Sequence, residues 1–516
     1  MQKVAAGVIV MVFNSILWPD GQTSNLVGED PDFFVDLNID QIINGITAPY
    51  EDYNLRPFYD TMPDSLDTVR YRQEIFADLQ NTDTIAFLRD FSSRMKNVNR
   101  RLSGIERLYE YQKQGWHLDA ALLYFDAVKD LDTKLRNANL NSKGLRSLRE
   151  YIRNYVDSEA FVQTSREAKE IKAGLSAIRY EMSIGSSRIT VRKDKGRENY
   201  NEIVREAFAK FRDNNKSSGT AQHVNDPSMN HVETAVLALI ARLFPEEFRT
   251  LISFHDNHSN FIDPVVARVY REIQFYVSYI EYISPVRKAG LEFCIPETGS
   301  ERDVYCIRSF DLALAHKLSA SNTRAVANDF QLSGDENTMV VTGPNNGGKT
   351  TFARSFGQAF FLAALGLPIP GEKAKLFLAD SIYTHFEKSE DPENLRGKLE
   401  DDLVRMRKIL DSATERSIII INEMLSSTTS KDAVQIGKRI IDLIRRKNSI
   451  CVYVTFLDEF ARIDGVVSMV SQVDPSAPEI RTFRVIKSDP NGLAYARAIA
   501  EKYGLTYEKI LGRIRE

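Results

Sequence analysis

Cysteine is scarce: the 516-residue chain has three, Cys294, Cys306 and Cys451, dispersed and odd in number. Such a set supplies neither a disulfide framework nor a cluster of thiol metal ligands, and reducing cytoplasm is the natural compartment. Charge of one sign is also missing. The formal net charge of -4 sets 67 Lys and Arg against 71 Asp and Glu, which excludes a globally basic nucleic-acid binder but leaves room for a local basic face. No apolar run approaches the roughly 20 residues needed to span a bilayer. Val4 to Phe13, behind Lys3, imitates the start of a secretory leader, yet Asn14, Trp18, Pro19 and Asp20 follow without a small-x-small cleavage pattern. Met11 offers an alternative start that would remove most of this run. Internal repeats, low-complexity tracts and long charged tails are lacking as well.

What is present reads as a folded chain of two to four domains, with 43% hydrophobic and 27% charged residues. After an N-terminal segment, 1–29, the pattern over 30–300 is mostly helical. Apolar residues fall on one helical face in Tyr71 to Leu79, Val98 to Tyr111 and 198–212, and at every fourth position through Val265, Val269, Ile273 and Val277. Helices are expected over Phe33 to Ile43, Leu66 to Phe91, 132–182 and Val232 to Phe244, where Pro245 interrupts. Between two helical arms, Ile184, Ile189 and Val191 alternate with polar residues and predict a small strand-like protrusion near 184–197. Ser217 to Asn230 is polar and loop-like. From about Asp303 short apolar strands alternate with helices, which places an α/β domain at 301–516.

The most specific pattern is Gly343-Pro-Asn-Asn-Gly-Gly-Lys-Thr350, which fits G-x-x-x-x-G-K-[ST] with an apolar strand before it and an amphipathic helix after it. Glycines let the backbone curl around phosphate oxygens, and exposed amides with the helix N-terminus supply positive potential. The phosphate-binding set is therefore Gly343, Pro344, Asn345, Asn346, Gly347, Gly348, Lys349, Thr350 and Thr351. Lys349 should reach the β- and γ-phosphates, and Thr350 should be a ligand of Mg2+. ATP is favoured over GTP because no N-K-x-D element is found. A second strand, Ser417 to Asn422, ends at Glu423, placed to orient an attacking water. Asn422 occupies the position of a magnesium-linked carboxylate; its carbonyl accepts hydrogen bonds but carries no charge.

This constellation resembles the ATPase domain of the MutS family, whose phosphate loop reads G-P-N-M-G-G-K-[ST] and differs here only at Asn346. Asp380-Ser-Ile-Tyr-Thr384 is similar to that family's D-x-I-F-T, Ala413 to Ser417 precedes the second strand in like fashion, and Asn422-Glu423 stands for its D-E. The resemblance implies a mixed multidomain fold: an all-helical core and lever region followed by an α/β P-loop NTPase domain of the ABC-like MutS type. It also implies a homodimer that encircles double-stranded or branched DNA, with a clamp near 184–197. Four departures mark this chain. Asn422 lacks the acidic charge, Phe456 replaces a histidine expected near the γ-phosphate, the trans-acting serine element is poorly kept around Asn394 to Gly397, and a mismatch-reading F-x-E element is not found.

Arg188, Arg192, Lys193, Lys195 and Arg197 form the candidate nucleic-acid contact, diluted by Asp194 and Glu198. Arg94, Lys96, Arg100 and Arg101 read as a solvated helix face, His255 and His258 as loop polarity, and Ser426 to Ser430 as a turn without a histidine to activate a nucleophile. The functional expectation is an ATP-dependent DNA clamp or DNA-structure sensor with weak hydrolysis. The alternatives are a catalytically degenerate ATP-binding switch and an assembly factor acting through the helical arms.

Overall fold

The computed structural model describes residues 13–19, 31–185, 188–194, 229–321, 323–387, 397–474, 477–490, 503–507 and 509–511. The chain forms two compact units: a sheet-bearing unit of Met1–Ile85, Leu140–Ser147 and Arg271–Glu516, and a helical unit of Ala86–Asn139 and Leu148–Tyr270. Residues 30–300, one helical region by periodicity, are thus shared between the two. The physical reason lies in side chains remote in sequence. The Asp78 carboxylate accepts from the backbone N–H groups of Asn141 and Ser142 at 3.1 and 2.9 Å. At Gly144 a Cβ would stand 2.5 Å from Ile75 Cδ1.

The sheet-bearing unit is organised by six strands: β1 (Thr338–Thr342), β2 (Ile382–Phe386), β3 (Ile418–Asn422), β4 (Ile450–Val454), β5 (Val467–Asp474) and β6 (Ala477–Lys487). Their order is β2-β3-β4-β1-β5-β6, parallel except for β6. Unbroken apolar runs suit strands covered on both faces, and Ile418 to Ile421 are all 0% exposed. Ile419, Ile421 and Tyr453 join a core with Met406, Ile440, Ile441 and Ile444 of the helices Lys398–Ser412 and Ser430–Lys447. Ile420, on the opposite face by strand alternation, meets the Lys349–Ala364 helix at Gly357, where a Cβ would lie 2.6 Å from Ile420 Cδ1 and from Leu37 Cδ1.

That helix is in turn covered by the start of the unit. Phe34 packs edge-on against Phe361 with ring centroids 5.3 Å apart, Gln358 donates to Leu37 O at 2.8 Å, and Arg354 donates to Asp36 O at 2.9 Å. Asn38, left-handed at φ 56°, splits the expected 33–43 helix into Phe33–Asp36 and Ile39–Thr47. Ser15, Ile16, Leu17 and Trp18 are buried. Glu272 accepts from Ser15 Oγ and Ile16 N, both at 2.8 Å, while Arg72 donates to Leu17 O and Leu365 O and lies over the Trp18 and Phe275 rings. A smaller four-stranded sheet has the order Glu297–Gly299, Lys373–Phe377, Val304–Ser309, Asn328–Leu332.

In the helical unit, the helices Glu110–Asn137, Glu159–Ala177 and Pro245–Asn257 meet around Tyr124, Phe125, Phe161 and Phe254. Pro245 starts a helix at its first turn, where a missing N–H costs nothing. Tyr180–Ile184 and Ile189–Lys193 pair as an antiparallel hairpin, so the chain leaves helix at Ala177, earlier than its periodicity predicts. The expected 198–212 helix lies outside the described residues. Among the described residues no helix is long and apolar enough to cross a membrane.

Candidate nucleotide-binding site

The phosphate loop is shaped by three left-handed residues, Gly343 (φ 120°), Asn346 (57°) and Gly348 (93°). Asparagine tolerates this region through its short polar side chain. Gly347 is required by crowding instead: a Cβ there would stand 2.3 Å from Ser471 Oγ. Four loop carbonyls are held by side chains. Lys349 Nζ donates to Gly343 O and Pro344 O at 3.0 and 3.1 Å, Arg481 Nε to Asn345 O at 3.2 Å, and Ser471 Oγ to Gly347 O at 2.6 Å. The loop's curvature is therefore fixed by the protein itself.

Residues Asn345 to Thr351 line a cleft of about 840 Å³ with Glu423, Phe456, Phe483, Arg324, Val326 and Asn328, within the usual range for a small-molecule site. Thr350 Oγ1 donates to Asn422 Oδ1 at 3.0 Å, so the two residues assigned to the metal meet. Glu423 follows at φ 56°, its N–H bonded to Val454 O at 2.9 Å.

Burial pushes the Glu423 carboxyl above the usual range against the opposing pull of Lys349. Burial likewise lowers the Lys349 ammonium, with Glu423 raising it and Arg481 lowering it. The Lys349 ammonium sits 4.3 Å from the centroid of the Phe456 ring, a cation–π contact in place of any hydrogen bond a histidine would offer.

Other sequence-derived candidates fall elsewhere. Arg188, Arg192 and Lys193 belong to the hairpin of the helical unit, where Arg192 pairs across the ladder with Glu181 and Lys193 with Tyr180. Lys195 and Arg197 lie outside the described residues, as do Asn394, Leu395 and Arg396. Arg94 pairs with Asp90 and Asp130, and Arg101 covers Trp116. His255 and His258 bond Asp256 and Glu167. In the turn, Ser426 donates to Glu387, and Thr429 caps the helix Ser430–Lys447. Sequence reasoning passed over Asn328, Ser471, Arg481 and Phe483, which come to the loop from distant segments.

A parallel sheet whose central strand runs through a glycine loop into a lysine-headed helix defines the P-loop α/β proteins. Residues 339–508 match the family model of MutS domain V. The DNA mismatch repair protein MutS of Clostridium kluyveri is 23% identical over 507 residues, covering 92% of this chain and 57% of that protein. That of Chlorobaculum tepidum is 29% identical over 243 residues, covering 46% and 26%. Endonuclease MutS2 of Gemmatimonas aurantiaca is 29% identical over 204 residues, covering 39% and 24%. Residues 339–508 thus carry a MutS domain V, and the chain spans little more than half the length of the Clostridium relative.

Proposed function

We propose that this chain is an ATP-dependent DNA-binding clamp or sensor of DNA structure that hydrolyses ATP weakly. The observation that carries the reading is the convergence of Lys349, Thr350 and Glu423 on one cleft, with Asn422 bonded to Thr350. The loop holds the phosphates of ATP, Lys349 moves onto the β- and γ-phosphates, and the Glu423 carboxylate orients the attacking water. Thr350 Oγ1 and Asn422 Oδ1 are oxygen donors of the kind Mg2+ takes, but they bring no negative charge, so the fit is weak. Bound there, Mg2+ would neutralise phosphate charge.

DNA enters the proposal through the printed names of the relatives and through the exposed hairpin, whose Arg188, Arg192 and Lys193, with Lys195 and Arg197 beyond it, contact phosphates. Residues 30–300 act as core and lever, 301–516 as the ATPase domain, in a cytoplasmic homodimer. A second reading, a switch that binds ATP without hydrolysing it, is favoured by the neutral Asn422 and by Phe456 over the ammonium.

Mg2+-dependent turnover, measured with and without duplex, mismatched and branched DNA, separates the two. Turnover that is stimulated by one DNA form and abolished by Glu423→Gln supports the clamp. Tight ATP binding without turnover supports the switch, and a Lys349→Ala variant that still binds ATP at full affinity refutes both.

A further inference from the structure

The outer wall of the phosphate loop is made by β5 and β6, and there the ladder is irregular. Ser471 pairs with Val485 but Val473 pairs with Arg481, so the register slips between them. Phe483, inside the slip, has φ 58°, a conformation that a bulky residue holds only under constraint. Asn328 supplies one: its Oδ1 accepts from Val485 N at 2.7 Å and its Nδ2 donates to Phe483 O at 3.2 Å. Bulges re-aim side chains. Here Phe483 comes against Gly348, where a Cβ would lie 3.5 Å from Phe483 Cα, and Arg481 comes against Asn345 O.

The end of the loop that Arg481 occupies can be identified. Lys349 Nζ rests on the carbonyls of Gly343 and Pro344, so the ammonium that serves the β- and γ-phosphates stands beside Asn345. Arg481 Nε donates to that next carbonyl, Asn345 O, at 3.2 Å. Lys349 and Arg481 therefore hold three consecutive carbonyls of the phosphate loop, Gly343 to Asn345.

We propose that Arg481 is a second phosphate-binding cation, engaging the terminal phosphate of ATP and discriminating ATP from ADP. The inference rests on the ATP-site reading above and deepens it. Phe456 offers no hydrogen bond to a phosphate oxygen, and a guanidinium supplies both charge and N–H donors. Its five donors make engagement of Asn345 O and of a phosphate oxygen compatible in one side chain.

The test is isothermal titration of the full chain and of Arg481→Gln with a non-hydrolysable ATP analogue and with ADP, each with Mg2+. Glutamine keeps an N–H for Asn345 O and removes the charge. The expected result is a loss of at least about tenfold for the ATP analogue, with ADP affinity within about threefold of the unaltered chain. Arg481→Lys retains part of the preference for the analogue. Equal losses for both nucleotides, or no loss, overturn the inference and leave Arg481 as a brace of the loop. If the glutamine variant does not fold, Arg481→Lys decides by the same ratio: a changed ratio supports the inference, and equal shifts overturn it. An unaltered chain that binds neither nucleotide removes the ATP site itself, and the inference with it.

Discussion

Asn422 is the residue on which the proposed ATP hydrolysis turns. It ends β3 in register with Phe386 and Val454 and accepts the Thr350 hydroxyl, so its geometry suits a metal-linked group while its charge does not. Asn422→Asp is expected to raise Mg2+-dependent turnover by roughly five- to tenfold, the difference between a neutral and a charged acceptor. Turnover measured against Mg2+ concentration checks this, and an unchanged rate would place the limiting defect at Phe456.

His385 makes a separate prediction. It is 0% exposed, its Nδ1 has no hydrogen-bond partner, and burial, then Arg405, lower its pKa to about 4. The unfolded chain therefore binds the extra proton between that value and the ordinary 6.5. The stability tied to neutral His385 is complete above the upper value and is lost as pH falls toward the lower one. Melting temperature should drop between pH 7 and pH 5 by less in His385→Leu than in the unaltered chain. An equal drop would assign that limb to other groups.

At the scale of elements, the hairpin Tyr180–Ile184/Ile189–Lys193 carries the DNA proposal. Tyr180, Met182 and Ile184 are exposed, and Glu181 opposes Arg192 across the ladder, so an acid faces one of the hairpin's cations. Reversing the charges of Arg192 and Lys193 should weaken DNA binding and reduce the slope of log affinity against log salt by about 0.9 per lost phosphate contact. An unaltered slope places the contact elsewhere.

Legibility follows burial. β1 and β3 were readable because strands covered on both faces leave continuous apolar runs, as Ile418 to Ile421 do. The strand Tyr180–Ile184 was not, because it has no buried face and its composition continues the preceding helix. The site divides in the same way. Gly343 to Thr350 and Glu423 announce themselves locally, whereas Asn328, Ser471 and Arg481 reach the loop only through the bulged β5–β6 ladder and the adjoining sheet, which no spacing in the sequence records.

For the whole molecule, the dimer proposal makes nucleotide the control of assembly. Light scattering of the purified chain should give twice its mass of 58.7 kDa with a non-hydrolysable ATP analogue. A monomer at every nucleotide and protein concentration would reject the clamp and leave a single-chain switch. Another consequence concerns birth rather than function. Ser15 and Ile16 are fixed by Glu272, 257 and 256 residues away, and a ribosome adding roughly 5–20 residues per second reaches that carboxylate about 10–50 s after making them. By then residues 86–139 and 148–270 of the helical unit have been synthesised, while Phe34 still lacks Phe361 and Arg72 still lacks Phe275 and Leu365. Translation therefore exposes residues 15 and 16 to chaperones and proteases for about half of the time these 516 residues are being made, and the helical unit is the first whose residues are all synthesised.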